Sequence, residues 1–402
     1  MNKTFVPREL YLEKIKPFID KNIIKVLIGQ RRVWKSYLFF QIIDFLKTDV
    51  WVVDEQIVFI NKELYEFDNI KDDATLLTYI EERKSNLKTY IFIDEVQDIL
   101  HFEKALRHLQ ASEEYDIYIS GSNAHLLSSE IATFLTGRYL EFEIFPLTYK
   151  EFLAFHGLVD SKETFFQYLQ FWGLPYLKHL ELKEEILREY IKSIYNTILL
   201  KDITQRYKIR NLDFLEKLIF FLAENIGNLF TANTISLYLK SQKIDIQTST
   251  ILEYLSHLCS VYLVNKVRRQ DIVWKKIFAI NDKYYFSDVG IRNTILWWYK
   301  PGDIGKILEN VVFLHFRAHG YTVSIWKLRD KEIDFIVEKW GDKKYIQVAY
   351  LIDGEKTKKR EFENLLEIRD NYEKIVLSLD DFVAWEYEGI KHYNIREYLL
   401  SF

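Results

Sequence analysis

The chain has 402 residues, of which 49% are hydrophobic and 28% charged, and a formal net charge of −4. A single hydrophobic core stops growing at roughly 250–300 residues, so two or three domains are expected, and 13 glycines with 5 prolines leave little material for long linkers. One cysteine, Cys259, excludes an intramolecular disulfide and a thiolate zinc site, and the acidic balance excludes a global attraction to nucleic acid while leaving room for a local basic face.

Residues 1–10 lack an apolar stretch followed by small residues, so no secretory signal is expected there. No window approaches the roughly 20 uninterrupted apolar residues of a membrane span. A cytoplasmic chain with no membrane partner follows as the expectation. Residues 23–28 (Ile-Ile-Lys-Val-Leu-Ile) read as a buried strand ending at Gly29, and residues 35–47 carry helical apolar spacing. Short strands are expected at 50–53 and 58–60, a helix at 74–85, a strand at 90–93, a helix at 102–110 and a strand at 116–120, closed by a turn at Gly121. This alternation predicts an α/β fold, a parallel sheet with helices on both faces.

Beyond Phe145-Pro146-Leu147 the pattern turns helical through residues 149–226, interrupted at Gly173-Leu174-Pro175 and near Gly227. From Thr231 the order is a helix containing Ser236, a turn, a second helix at 248–258, and strands at 262–268 and 283–286 that would form a hairpin. That is the outline of a winged helix-turn-helix. Strands return at 321–326, 332–337, 344–350 and 374–378, forming a second α/β unit.

The stretch Gly29-Gln30-Arg31-Arg32-Val33-Trp34-Lys35-Ser36 matches the P-loop pattern except at its second glycine position, occupied by Trp34. In such a loop the backbone N–H groups and the following helix N-terminus surround phosphate, Lys35 reaches the terminal phosphates of ATP and Ser36 ligates Mg²⁺. About sixty residues on, Tyr90-Ile91-Phe92-Ile93-Asp94-Glu95 places two carboxylates at the C-terminal edge of a buried strand, where open α/β sheets bind ligands. Asp94 would hold the metal and Glu95 would orient the attacking water; otherwise the pair merely ends a strand and caps the next helix. Trp34 brings a bulky side chain where phosphate closely approaches the backbone. The indole either swings outward, fills the phosphate cradle, or marks a specialised variant; impaired turnover is expected and binding is left open.

Gly121-Ser122-Asn123 would put a polar group beside the acids, with Asn123 or Ser122 sensing the γ-phosphate or holding water, although the tripeptide is also ordinary turn chemistry. Arg138, just before a strand, could neutralise transition-state charge in a neighbouring subunit of a homo-oligomer, or form a surface ion pair. The hairpin carries Lys266, Arg268, Arg269, Lys275 and Lys276 around Trp274 against one acid, Asp271. That composition suits DNA phosphate contact, and equally a solvated hairpin or a protein contact.

In order, Gly-Gln-Arg-Arg-Val-Trp-Lys-Ser, Phe-Ile-Asp-Glu-Val-Gln, Ser-Gly-Ser-Asn, Thr-Gly-Arg-Tyr and Phe-Pro-Leu-Thr-Tyr-Lys-Glu-Phe make the chain resemble prokaryotic AAA+ ATPases that carry a C-terminal domain of unknown function. The similarity continues through Gly-Leu-Pro-Tyr at 173–176, Lys-Asp-Ile at 201–203, Tyr-Tyr-Phe-Ser-Asp-Val-Gly at 284–290, Leu-Glu-Asn at 308–310 and Glu-Ile-Asp-Phe at 332–335. The resemblance implies a P-loop AAA+ core at 1–150, a helical lid at 151–210, the winged helix-turn-helix at 211–300 and a restriction-endonuclease-like α/β domain at 301–402. In that last domain the matching positions are Glu309, Asp334 and Gln347. Gln347 stands where a second strand acid belongs and Ala349 where a lysine belongs, so cleavage is not expected. The expected function is a nucleotide-dependent switch or motor acting on DNA; the alternative is a non-hydrolysing scaffold.

Overall fold

The computed structural model describes residues 6–124, 137–171, 173–270, 282–297, 300–328, 331–352, 354–381 and 385–402. It divides into two compact units, one of residues 1–144 with 260–262 and the other of residues 145–259 with 263–402. Among the described residues no helix is long and apolar enough to cross a membrane.

In the first unit, α1 (Glu9–Ile15) leads into β1 (Ile24–Ile28), α2 (Lys35–Thr48), β2 (Ile57–Asn61), α3 (Asp73–Glu81), β3 (Thr89–Asp94), α4 (Phe102–Ala111), β4 (Tyr115–Gly121) and β5 (Tyr139–Glu143). All five strands run parallel in the order β2-β3-β4-β1-β5. The central strands are buried along their whole length because helices cover both faces, which explains their unbroken apolar sequences. Strand alternation sorts the core: Ile91 and Ile93 join Leu76, Ile80, Leu106 and Leu109 of α3 and α4, while Tyr90 and Phe92 join Tyr11, Ile15, Phe39 and Ile42 of α1 and α2.

The strand expected at 50–53 does not form. Val52 N–H bonds back to the Leu46 carbonyl, Trp51 is left-handed at φ 65°, and Trp51 and Val53 are exposed, so the apolar run is a loop closing α2 rather than a buried strand.

The second unit begins with α5 (Tyr149–His156), α6 (Lys162–Phe171) and α7 (Glu184–Thr197), the last continuing as a π-helix over Ile198–Gln205. Then come α8 (Leu212–Glu224), α9 (Ala232–Ser241) and α10 (Thr248–Ser260), followed by β6 (Val264–Val267) and β7 (Arg269–Gln270). After them β8 (Lys283–Phe286) pairs antiparallel with β6, as the hairpin expectation requires, whereas β7 leaves that ribbon for a larger sheet. Next are α11 (Val289–Ile295), α12 (Ile304–Ala318), β9 (Thr322–Leu328), β10 (Lys331–Lys339), β11 (Asp342–Val348), α13 (Gly354–Leu366), β12 (Glu373–Ser378), β13 (Trp385–Tyr387), β14 (Ile390–Asn394) and α14 (Ile395–Leu400). The seven-stranded sheet runs β13-β14-β12-β11-β10-β9-β7, with α13 packed on Ile336, Tyr345 and Val376 through Phe362 and Leu365.

Three of the motifs that carry the resemblance, around Leu147, Gly173 and Asp288, meet in this unit. Leu147 N–H bonds to the Gly173 carbonyl at 2.8 Å, and Asp288, fully buried, caps α11 by accepting from Ile291 N–H at 2.9 Å beside the N–H groups of Gly173 and Gly290. A Cβ on Gly290 would lie 2.4 Å from the Phe171 carbonyl oxygen, so only glycine fits. Burial outweighs these N–H groups and pushes the Asp288 carboxyl up to about 7. Because the folded state then holds a proton that the unfolded state releases near its ordinary carboxylate range, this contribution is complete in acid and fades as pH rises toward 7. Asp288→Asn should therefore flatten the pH dependence of unfolding free energy by roughly 1.4 kcal/mol per pH unit between about pH 4 and 7, read from urea melts.

Candidate functional site

Parallel order places the C-terminal ends of β1, β4 and β3 side by side, so the loops leaving them share one edge of the sheet. From β1 comes the loop 29–34. Gly29 has φ 140°, and a Cβ there would meet the Ile144 carbonyl oxygen at 2.2 Å, while Ile144 N–H bonds to the Ile28 carbonyl at 2.7 Å. The first loop glycine is thus demanded by the chain that leaves β5. Arg32 and Trp34 are both left-handed, at φ 69° and 66°. Trp34 adopts the backbone conformation a glycine would take freely, at a cost of about 1–2 kcal/mol for a residue with a Cβ. Its indole is buried and stacked on Tyr37 in the first turn of α2, with ring centroids 4.2 Å apart and planes at 16°.

Lys35 is buried, and its ammonium donates to the carbonyls of Gly29 at 3.1 Å and Gln30 at 3.0 Å. Its charge also acts on Asp94 and Glu95. Asp94 accepts hydrogen bonds from the hydroxyls of Ser120 on β4 and Ser36 on α2. Burial wins over those bonds and lifts the Asp94 carboxyl above its usual range. Its Oδ2 is buried with no hydrogen-bond partner among the described residues. Glu95 is left-handed at φ 54°; its carboxylate accepts from Ser122 at 3.1 Å and from Gln97. Burial alone would raise its pKa, but Lys35, Gln97, Arg31 and Ser122 together hold it below the ordinary range, so Glu95 stays ionised. Arg31 also pairs with Glu63 at 3.2 Å, and the Gln30 side-chain amide is buried with neither polar atom bonded among the described residues.

The phosphate-loop residues, both acids and Ser122 are therefore brought together, with Asn123 buried in the same loop. Arg138 is not: it is exposed at the start of β5, level with the start of β1, so the length of a five-residue strand, roughly 16 Å, separates it from the loop. Sequence reasoning missed three contributors. Ser120 bridges Asp94 from inside β4, Gln97 holds Glu95, and Arg8, 1% exposed, donates to the Val33 carbonyl at 3.1 Å and sits 4.5 Å over the Tyr11 ring. Ser120 and Gln97 lie inside the quoted motifs Ser-Gly-Ser-Asn and Phe-Ile-Asp-Glu-Val-Gln, which carried their signal, whereas a lone arginine before a helix carries no spacing signal.

In the second unit, Lys266 pairs with Asp282 at 2.7 Å, Arg268 is exposed, and Arg269 is half-buried on β7. Lys275 and Lys276, with Asp271 and Trp274, lie outside the described residues. Glu309 and Asp334 come together around Lys283, while Gln347 donates to Glu361 at 3.0 Å.

A family model described as an AAA domain matches residues 21–153, and one described as a domain of unknown function matches residues 162–300. An uncharacterised protein of Haemophilus influenzae is 36% identical over 409 aligned residues, covering 100% of both chains. An uncharacterised protein of Methanocaldococcus jannaschii is 30% identical over 94% of this chain and 86% of its own. The solved structure of a Walker-type ATPase of Pyrococcus abyssi aligns with a TM-score of 0.50 at 14% identity, covering 74% of this chain and 97% of that one, a likeness of fold.

Gly29→Ala should destabilise the chain by more than about 2 kcal/mol without any nucleotide, since the new Cβ meets a backbone oxygen in a left-handed setting. A melting temperature equal to that of the unchanged chain would show that this glycine serves phosphate alone.

Proposed function

Since the chain belongs to the same family as the Haemophilus influenzae and Methanocaldococcus jannaschii proteins and carries an AAA-type P-loop fold, we propose that it binds Mg²⁺-ATP at the loop 29–36 and acts as a nucleotide-dependent switch or motor on DNA. The observation that carries this is the meeting of Lys35 and Ser36 with Asp94 and Glu95 at one edge of the parallel sheet. The residues present fit both ligands: the buried Asp94 Oδ2 has no hydrogen-bond partner among the described residues, as suits a divalent cation, and the Gln30 amide and the Lys35 ammonium, now held by loop carbonyls, are polar groups a phosphate chain would engage. When bound, Mg²⁺ supplies neutralising charge to the phosphate oxygens. Lys35 leaves the Gly29 and Gln30 carbonyls for the terminal phosphates, Ser36 and Asp94 hold the metal, and ionised Glu95 orients water. Asn123 and Ser122 line the approach. Arg138, too far along the sheet for its own site, acts on a neighbouring copy in a homo-oligomer.

Trp34 favours slow turnover. Its glycine-like backbone and its stack on Tyr37 support a loop that still receives phosphate, at the expense of strain that a moving loop must carry. Lys35→Ala should weaken binding of a fluorescent ATP analogue at least about tenfold, and Trp34→Gly should raise hydrolysis by about tenfold, the equivalent of ~1.4 kcal/mol. Equal hydrolysis in both glycine and tryptophan forms would show the indole to be harmless; absence of binding in both would leave the non-hydrolysing scaffold.

For DNA, the α9–α10 pair with the β6–β8 hairpin supports a winged helix-turn-helix, and exposed Arg268 beside Lys266 supports phosphate contact. Duplex affinity should fall steeply with salt, and Arg268→Ala should lower the slope of log affinity against log salt by about 1. A flat salt response would remove the hairpin from this role. ATPase stimulation by DNA separates motor from scaffold.

A further inference from the structure

The C-terminal carboxylates that resemblance assigns to a metal centre already surround a cation of the protein's own. Lys283, the first residue of β8, is 2% exposed. Its ammonium lies 2.7 Å from Glu309 on α12, 2.6 Å from Glu332 on β10 and 3.7 Å from Asp334, also on β10. An ammonium has three donors, and three carboxylates face it. The second oxygen of Asp334 accepts Val348 N–H at 2.9 Å, and Glu309 also accepts from the Tyr285 hydroxyl, so the acids are oriented by neutral donors as well. Gln347, opposite Asp334 in the antiparallel register, gives its amide N–H to Glu361. As they stand around the ammonium, these acids do not form a metal-holding group, and no other such group occurs among the described residues. The distances to Glu309 and Glu332 are those of charge-assisted N–H···O bonds, with Asp334 standing farther off, so the acids are spaced around an ammonium.

We propose that Lys283 is a built-in cation standing in the place of a divalent ion, and that it fastens the β6–β8 hairpin to α12 and β10 as a metal-independent electrostatic clamp. The lysine comes from a strand some fifty residues before the acids on β10, so the clamp closes only when hairpin and sheet are both folded. Removing the ammonium would leave three facing carboxylates without the cation that now lies among them, the chemistry that attracts Mn²⁺.

The test uses the full chain, freed of metal with chelator and without nucleotide. For the unchanged protein, melting temperature should be the same in Mn²⁺ and in EDTA apart from any response that Asp334→Asn leaves intact. Lys283→Ala should lower the melting temperature by roughly 10 °C, and Mn²⁺ should restore part of the loss. That restoration should vanish in the Lys283→Ala, Glu309→Gln double variant. Mn²⁺ binding by the unchanged chain that disappears in Asp334→Asn, or a Lys283→Ala chain that melts with the unchanged one, would overturn the proposal. If Lys283→Ala does not fold, Mn²⁺ binding by electron paramagnetic resonance, compared between the unchanged chain and Asp334→Asn, decides the metal question, and Lys283→Arg, which keeps the charge, should fold.

Discussion

At the head of the parallel sheet the Lys35 ammonium lies buried between the carbonyls of its own loop and the charges of Asp94 and Glu95. A buried charge is tolerated only where other groups match it. The loop carbonyls and the polar side chains at the ends of the strands supply that match. With β4 between β1 and β3, Ser120 and Ser122 are carried to the two acids, and Ser36 reaches Asp94 from the first turn of α2. The same match separates the two carboxyls chemically: burial dominates at Asp94, whereas Lys35 and three other polar or charged groups keep Glu95 ionised.

Backbone strain gathers at this edge. Arg32, Trp34 and Glu95 are all left-handed without being glycine, and each lies in a segment that touches the buried charges. Such conformations persist where surrounding structure over-determines them. Arg8 grips the Val33 carbonyl, Tyr37 receives the Trp34 ring, and Gln97 and Ser122 hold the Glu95 carboxylate. The tryptophan is thereby accommodated in a glycine conformation rather than displacing the loop.

The second unit applies the same rule to different residues. Asp288 accepts backbone N–H groups at a junction where Leu147, Gly173 and Gly290, from three separate stretches of sequence, pack together. Arg292, fully buried, donates to the Ala223 carbonyl and pairs with Asp303, adding a second tie around α11. Lys283 completes the series by drawing acids from α12 and β10 toward the hairpin. In this unit Gly173, Asp288 and Gly290 meet as a junction between elements.

The sequence by itself determined the parallel α/β core, the loop 29–36, the acids at the end of β3 and the polar turn after β4, because unbroken apolar runs, a glycine turn and a strand ending in carboxylates are local signals. It also marked α2 to α4, the helical stretch 149–226, α9, α10 and the β6–β8 hairpin, yet it left α1 and α11 to α14 unmarked and mistook 50–53 for a strand, since apolar run length does not reveal whether a face will be covered. Only the tertiary structure decided that Ser120, Gln97 and Arg8 belong to the site, that Arg138 stands a strand's length away, and that Lys283 fills the carboxylate cluster. Those facts depend on which strands become neighbours and which side chains lose water together, and such long-range pairings leave no periodic trace along the chain.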